Sequence, residues 1–409
     1  MARGPRSGER VLWVPYAQYG SLYPVVPLIQ AVLRDGHEVV MLGPSELTDL
    51  AETLGCELRP YWSDITYDWA RRASVDKHGL GPDVLGSGWF IERVKAEYEE
   101  VGEAIASCAP TTLLIDSFVT GAGMAAESHA VPWASYVHYL IDQDADVDAM
   151  HRVWWEGTER DREAYLHWWG QLREDVGVGP EHRPVADAPW YRLSPHLTFV
   201  LGHPWLRRGR KPTPSSIVRT SFPPWDTLEP EEPVGGGTAR TLERPRVLVS
   251  NSSAWQDDLS LVESALSALR DANVDVVVTV SAEHPRITDV PSNAVLLPHT
   301  PHTRLLPSVD IVVSTAGLGL VSKALWWGIP LVLVPRGRDQ GFVADAVVSA
   351  GCGLRLSWPP DPRELAEAVK SVMASEALRK QAREFSGRVA GYPRPEEAAA
   401  LLFSQERRV

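Results

Sequence analysis

Cysteine is scarce: Cys56, Cys108 and Cys352 are the only three in 409 residues. An odd number of widely spaced thiols fits neither a disulfide framework nor a cysteine-rich metal centre, so buried free thiols are expected. No run of about 18 apolar residues occurs, so no membrane-spanning helix is expected. The opening MARGPRSGER lacks the apolar core of a secretory leader, which points to a cytoplasmic protein. Positive charge is the minority sign, with 40 Lys and Arg against 53 Asp and Glu and a net charge of −13. That balance argues against a nucleic-acid partner, which needs a basic surface. It leaves room for a small anion held by backbone groups in one cleft.

Tryptophan is abundant instead, 16 in all, and eight of them fall within residues 62–169. Two readings stay open for them: core packing, or aromatic faces for a flat apolar ligand.

Along the chain, RVLWVP (10–15) reads as a buried strand, followed by a loop and a helix opening at Pro24, whose missing N–H suits a first helical turn. Asp35-Gly36 ends that helix and EVVML begins a second strand. TLLID (112–116), a helix over 119–130 and a strand at 133–137 continue the alternation, which predicts a parallel sheet covered on both faces. Residues 140–190 are rich in Trp, Glu, Asp and Arg at helical spacing and read as helices over the sheet edge. Residues 223–245, PPWDTLEPEEPVGGGTARTLERP, have no periodicity and read as a linker. The alternation then restarts with RVLVS (246–250), a helix over 258–270, VDVVVTV (274–280), AVLL (294–297) and DIVVS (310–314). A helix after Gly319, LVLVP (331–335), a helix over 341–350, GLRLS and a helical tail complete it. The expected fold class is α/β with two doubly wound domains and the ligand in the cleft between them.

The stretch VVSTAGLGLVSKALWWGIPLVLVPRGRDQ (312–340) carries the clearest chemical signal. A β-branched run ends in a turn with Gly317 and Gly319 directly before a helix. Glycines there let backbone N–H groups approach an oxygen-rich ligand, and the helix dipole favours negative charge; tight turning is the plainer alternative. A dinucleotide loop needs a third glycine where Ser322 stands, and a Walker loop needs a Gly-Lys-Ser/Thr ending that is absent.

The order of strand, GxG turn, helix, Gly-Ile-Pro, strand ending in proline and Asp-Gln resembles the donor motif of glycosyltransferase family 1, in particular the actinobacterial enzymes that add sugars to antibiotics. LLPHTPHTRLLPSVDIVVS, VLVSNSS and YGSLYPVVPLIQAVLRDGHEV are similar to further stretches of that family. The resemblance covers nearly the whole chain, most strongly 246–356. It implies a GT-B fold, two Rossmann-like doubly wound domains facing across a cleft. The implied division is an acceptor domain at 1–222, a linker at 223–245, a nucleotide-sugar domain at 246–385 and a C-terminal helix at 386–409 crossing back to the first domain.

The resemblance also implies roles. Ser252 and Ser253 would lie near the diphosphate, and His302 would flank the base. Gly317 and Gly319 would approach the phosphates, while Asp339 and Gln340 would hydrogen-bond sugar hydroxyls. His302 and Asp339 have helix capping as their alternative. Thr315 stands where the family has a phosphate-binding His, Leu320 where it has Thr or Ser, and Lys323 where it often has a ribose-binding Glu. Lys323 is expected to face solvent. Ser21 stands three residues before Pro24, where the family carries its general-base histidine, and Asp116 matches the acid that orients it. Asp116 is therefore expected to face Ser21 and to act as base itself, through Ser21 or a water; capping before Phe118 is its alternative. His138, just past a strand tip, is a second candidate base, although a buried, satisfied histidine is the plainer account of it, and it is grouped with Trp62, Trp69 and Trp154 as contacts for a bulky apolar acceptor.

Two functions follow. One is inverting transfer from a dTDP- or UDP-sugar to a natural-product acceptor in antibiotic biosynthesis, with the nucleotide sugar as co-substrate, no bound cofactor and no metal. The other is a GT-B protein lacking ordinary transfer, running a different reaction in the cleft or serving another enzyme as a non-catalytic partner.

Overall fold

A computed structural model describes residues 8–61, 88–139, 167, 170, 174, 192–202, 206, 215–220, 222–226, 244–251, 259–280, 287–297, 300–337 and 339–404. Strands β1 (Arg10–Val14), β2 (Glu38–Gly43), β3 (Glu57–Pro60), β4 (Thr112–Asp116), β5 (Trp133–Val137), β6 (Thr198–Val200) and β7 (Ile217–Arg219) form one sheet, in the order β3-β2-β1-β4-β5-β6-β7. A second sheet holds β8 (Arg246–Ser250), β9 (Asp275–Thr279), β10 (Ala294–Leu297), β11 (Ile311–Ser314), β12 (Leu331–Leu333) and β13 (Gly353–Arg355), in the order β10-β9-β8-β11-β12-β13. Every neighbouring pair is parallel. Strand order reverses once in each sheet, between β1 and β4 and between β8 and β11. Loops leaving the carboxyl ends there diverge and open a crevice.

Parallel strands with helices on both faces bury alternate side chains in opposite directions, which is why these segments are almost wholly apolar. Val11 and Trp13 of β1 join one core layer and Leu12 and Val14 the other. In the second sheet Leu248 and Val312 face one layer, Val247 and Ile311 its opposite. Helices α1 (Tyr19–Leu22), α2 (Val26–Arg34), α3 (Thr48–Leu54), α4 (Gly88–Cys108) and α5 (Thr120–Ser128) accompany the first sheet. Helices α6 (Leu259–Leu269), α7 (His302–Leu305), α8 (Leu318–Trp326), α9 (Gln340–Ser349), α10 (Pro362–Ala374) and α11 (Glu376–Gly387) accompany the second. A final helix, α12 (Pro395–Leu402), returns to the first domain, where Ala398, Ala399 and Leu402 pack beside α2. The boundary expected at 385 falls inside α11.

Pro24 sits in a 3₁₀ turn, Tyr23–Val25, and α2 proper begins at Val26 with Pro27 in its first turn. The chain leaves α2 through Asp35 and a left-handed Gly36, φ 84°. One glycine is required by close approach. A methyl group on Gly121 would lie 2.3 Å from the Val94 carbonyl oxygen and 2.8 Å from the Tyr98 nitrogen. Its absence lets α5 lie against α4, where the Gly121 N–H donates to Glu97 Oε2 at 3.0 Å.

The expected helices at 140–190 lie, apart from three isolated positions, outside the described residues, as does 227–243 of the expected linker. Trp62, Trp69, Trp154, Ser252 and Ser253 lie outside them too. The three cysteines are free and buried. No helix among the described residues is long and apolar enough to cross a membrane.

Candidate functional site

Asp116 is the last residue of β4, at the crossover point of the first sheet, and is fully buried. Its Oδ1 accepts the Phe118 N–H at 2.9 Å, which closes the turn toward α5, so the capping alternative describes half of this carboxylate. The other oxygen, Oδ2, lies 3.6 Å from Nδ1 of His138, one residue past the end of β5. Neither atom has a hydrogen-bond partner among the described residues. The separation exceeds a formed hydrogen bond, yet unliganded catalytic pairs are often this loose. Burial pushes the Asp116 carboxyl up to about 7, against the Phe118 and Tyr16 backbone N–H groups, the Tyr136 hydroxyl and the Arg93 guanidinium, which favour the anion. Burial pulls the His138 imidazole down to about 3. Phe118 meets the imidazole edge-on at 5.2 Å, and Tyr139 does so at 5.9 Å.

Behind this pair, Trp13 Nε1 donates to the Tyr136 hydroxyl at 3.4 Å. The Arg93 guanidinium donates to the Phe118 carbonyl and pairs with Glu97 at 2.8 Å. The turn carrying Asp116 is thus fastened from β1, β5 and α4.

Ser21 does not face Asp116. Its buried hydroxyl donates to the Tyr16 and Gln18 carbonyls, 3.0 Å each, and so ties down its own loop. The expected route for a proton through Ser21 has no geometric support. His138 departs from expectation in the opposite sense, since its Nδ1 is aimed at a carboxylate.

At the crossover of the second sheet, Ser250 ends β8 and Thr279 ends β9. The Thr279 hydroxyl lies 3.0 Å from His302 Nε2 and donates to Ser250 Oγ at 2.9 Å. His302 opens α7 without capping it. After β11, Thr315 is buried, and Ala316 takes a left-handed φ of 67°, rare for a residue with a side chain. Gly317 is the N-cap of α8, and a methyl group built on Gly317 or on Gly319 would meet nothing within 4 Å. The first-turn N–H groups of a helix lack partners within it, and here that turn lies at the pocket, which Leu318 and Gly319 line. Leu320 packs onto the core.

Lys323 corrects its expected exposure. It pairs with the Asp226 carboxylate, which also accepts the Thr303 N–H at 2.7 Å. Burial draws its ammonium down to about 8, so it stays charged at neutral pH. Gln340 is buried, and its Oε1 accepts the Arg336 and Gly337 N–H groups at 2.8 and 3.0 Å. That oxygen is occupied by protein, not left for a sugar hydroxyl. Asp339 is half-buried and holds the N-cap position of α9 without a side-chain capping bond. Among the described residues no group of three His, Cys, Asp or Glu side chains could hold a metal ion.

One pocket, about 580 Å³ with its open mouth, joins the two halves. His138 and Pro24 line it from the first domain, Gly319 and Lys323 from α8, and Trp225 from the start of the segment expected as linker. Sequence reasoning missed Trp225 and Asp226; the aromatic and acid closing Phe222-Pro-Pro-Trp225-Asp226 were the available signal, read there as linker.

Residues 263–404 match the family described as erythromycin biosynthesis protein CIII-like, C-terminal domain. The chain is 30% identical to 4'-demethylrebeccamycin synthase of Lentzea aerocolonigenes, over 91% of this chain and 93% of that one. Among solved structures, the glycotransferase of kitacinnamycin superposes with a TM-score of 0.76 at 19% identity, over 99% and 100% of the two chains. The glycosyltransferase VinC in complex with dTDP gives 0.72 at 22% identity, over 96% and 98%. With both sheets in place and a full-length relative at that identity, the chain belongs to the family 1 glycosyltransferases of GT-B fold, among those of antibiotic biosynthesis.

Proposed function

We propose that the protein transfers a sugar, with inversion, from a thymidine- or uridine-diphosphate sugar to a natural-product acceptor held in the interdomain pocket. The observation that carries this reading is the pocket itself. It has a buried carboxylate–imidazole pair behind one wall and the open first turn of α8 on the other. In-line attack on an anomeric carbon needs a proton acceptor beside the nucleophile and charge stabilisation beside the leaving diphosphate, on opposite sides of that carbon. The N–H groups following Gly317 suit a diphosphate, helped by the helix dipole. The apolar lining, Leu201, Phe222, Trp225, Leu318 and Trp326 among it, suits a bulky apolar acceptor. Thymidine is favoured as the nucleoside because the related VinC structure holds dTDP.

We further propose Ser250, Thr279 and His302 as the side chains nearest the nucleoside, since they gather at the carboxyl ends of β8 and β9. The experiment is purified protein with dTDP, UDP and their glucose conjugates. Stabilisation by a nucleoside diphosphate at millimolar concentration is expected, stronger for dTDP. No melting shift with either would defeat the donor assignment.

A further inference from the structure

We propose that His138 is the catalytic base of the cleft, receiving the acceptor's proton on Nε2 while Asp116 holds its Nδ1. This rests on the transfer reading for the source of the proton and adds the proton's destination.

Access separates the two residues. Asp116 has no exposed surface and its Oδ1 is engaged by the Phe118 N–H. His138 lines the pocket and keeps 17% of its side chain exposed. A hydroxyl in the pocket can therefore reach the imidazole and not the carboxylate. Nδ1 faces Oδ2 across 3.6 Å; neither atom has a formed hydrogen bond, and the Tyr136 hydroxyl and Tyr16 N–H that also bear on the carboxylate leave the imidazole as its partner on the pocket side. A small rotation closes that gap to a hydrogen bond, and an N–H at Nδ1 fixes the tautomer whose Nε2 carries the lone pair. Phe118 and Tyr139, both edge-on, restrict the ring to this orientation.

The step balances. As the acceptor oxygen bonds to the anomeric carbon, its proton passes to Nε2. The bond from that carbon to the phosphate oxygen breaks, and the diphosphate leaves with the electron pair. The resulting imidazolium sits beside the Asp116 carboxylate and later returns its proton to water. The ionisable groups around the pair are Arg93 from α4, Tyr61 after β3, Tyr136 on β5 and, across the pocket, Lys323 of α8.

The test combines nitrogen-15 NMR of His138 with turnover of dTDP-glucose, using 4-methylumbelliferone and a panel of aliphatic alcohols as acceptors. At pH 8 the wild type is expected to carry its proton on Nδ1 and Asp116→Asn to carry it on Nε2, because the amide donates where the carboxylate accepted. His138→Gln and His138→Asn are expected to lose about 100-fold or more in kcat. They should also lose the acidic limb of the pH profile while keeping the dTDP-induced melting shift. An Nε2–H tautomer in the wild type, or His138 variants turning over within fivefold of it, overturns the assignment. A wild type that binds dTDP but transfers to no acceptor overturns the transfer reading instead, and the tautomer still decides whether the pair exists.

Discussion

Replacing Asp116 by Asn should inactivate the protein and stabilise it, increasingly so as pH rises. The folded carboxyl titrates near 7, against 3.8 for an ordinary aspartate, because burial outweighs the donors around it. A raised folded pKa means the native state holds a proton that the unfolded chain has already released. The stability this gives is complete below about pH 4 and is lost as pH rises toward 7. Each unit of that window is worth about 1.4 kcal/mol, so between pH 5 and pH 8 the wild type should lose about 3 kcal/mol through this one group. Asparagine keeps the acceptor for the Phe118 N–H and cannot ionise, so the variant lacks this loss. Melts of both proteins at pH 5, 6.5 and 8 isolate the effect, since Arg93 and Glu97 are common to both and cancel in the difference. For a domain of this size the variant's advantage should grow by roughly 6–12 °C across the range. A difference that stays flat with pH, or that shrinks, would refute a carboxyl titrating near neutrality.

Ser21→His, which would restore the histidine that the family resemblance places there, should lower stability by about 1–3 kcal/mol and bring no gain in rate. An imidazole must displace a buried hydroxyl from two carbonyls; melting and turnover of the variant check this. Lys323→Met should cost about 3 kcal/mol by stranding buried Asp226, and Asp226→Asn in the same chain should recover much of it, a coupling that a double-mutant cycle in urea measures. Gly121→Ala should cost about 2 kcal/mol or more and depress kcat. Its methyl group meets backbone of α4, and α5 must move with the turn that carries Asp116. Gln340→Leu should cost about 1–3 kcal/mol by leaving the Arg336 and Gly337 N–H groups without their acceptor, read by thermal unfolding.

The two-domain α/β plan was legible because parallel strands buried on both faces are written as continuous apolar runs, and RVLWV, TLLID and IVVS need no context to be read. Helix α4 was not. Arg93, Glu97 and Glu100 are buried on it, so its apolar face is interrupted by charge, which the Arg93–Glu97 pair, α5 and the turn after β4 help to satisfy. Strands β6 and β7 are three residues each, too short for a period to show. In the site, Asp116 and the Gly317 turn could be found because each ends a recognisable strand. The pairing of His138 with Asp116 could not be read, since it depends on β5 lying beside β4. Lys323 and Asp226 stand 97 positions apart, Asp226 within the segment read as linker, and nothing local ties them.

Strand order explains how a base could change position without a change of fold. β4 lies between β1 and β5, so Asp116 can be approached from the loop after β1 or from the residue after β5. Neighbouring strands are about 4.8 Å apart, and a side chain from either side spans that gap. With Ser21 in the first position, the second is held by His138. Burial alone would leave that imidazole too weak a base, down at about 3. An ionised Asp116 at 3.6 Å supplies the difference. With an effective dielectric constant of about 20 its attraction for an imidazolium is about 5 kcal/mol, or roughly three pKa units, which returns the imidazole toward neutrality. Asp116 must be ionised for this, and it ionises only near pH 7. The acidic limb of turnover should therefore follow the carboxylate, although the proton from the acceptor is carried by the histidine.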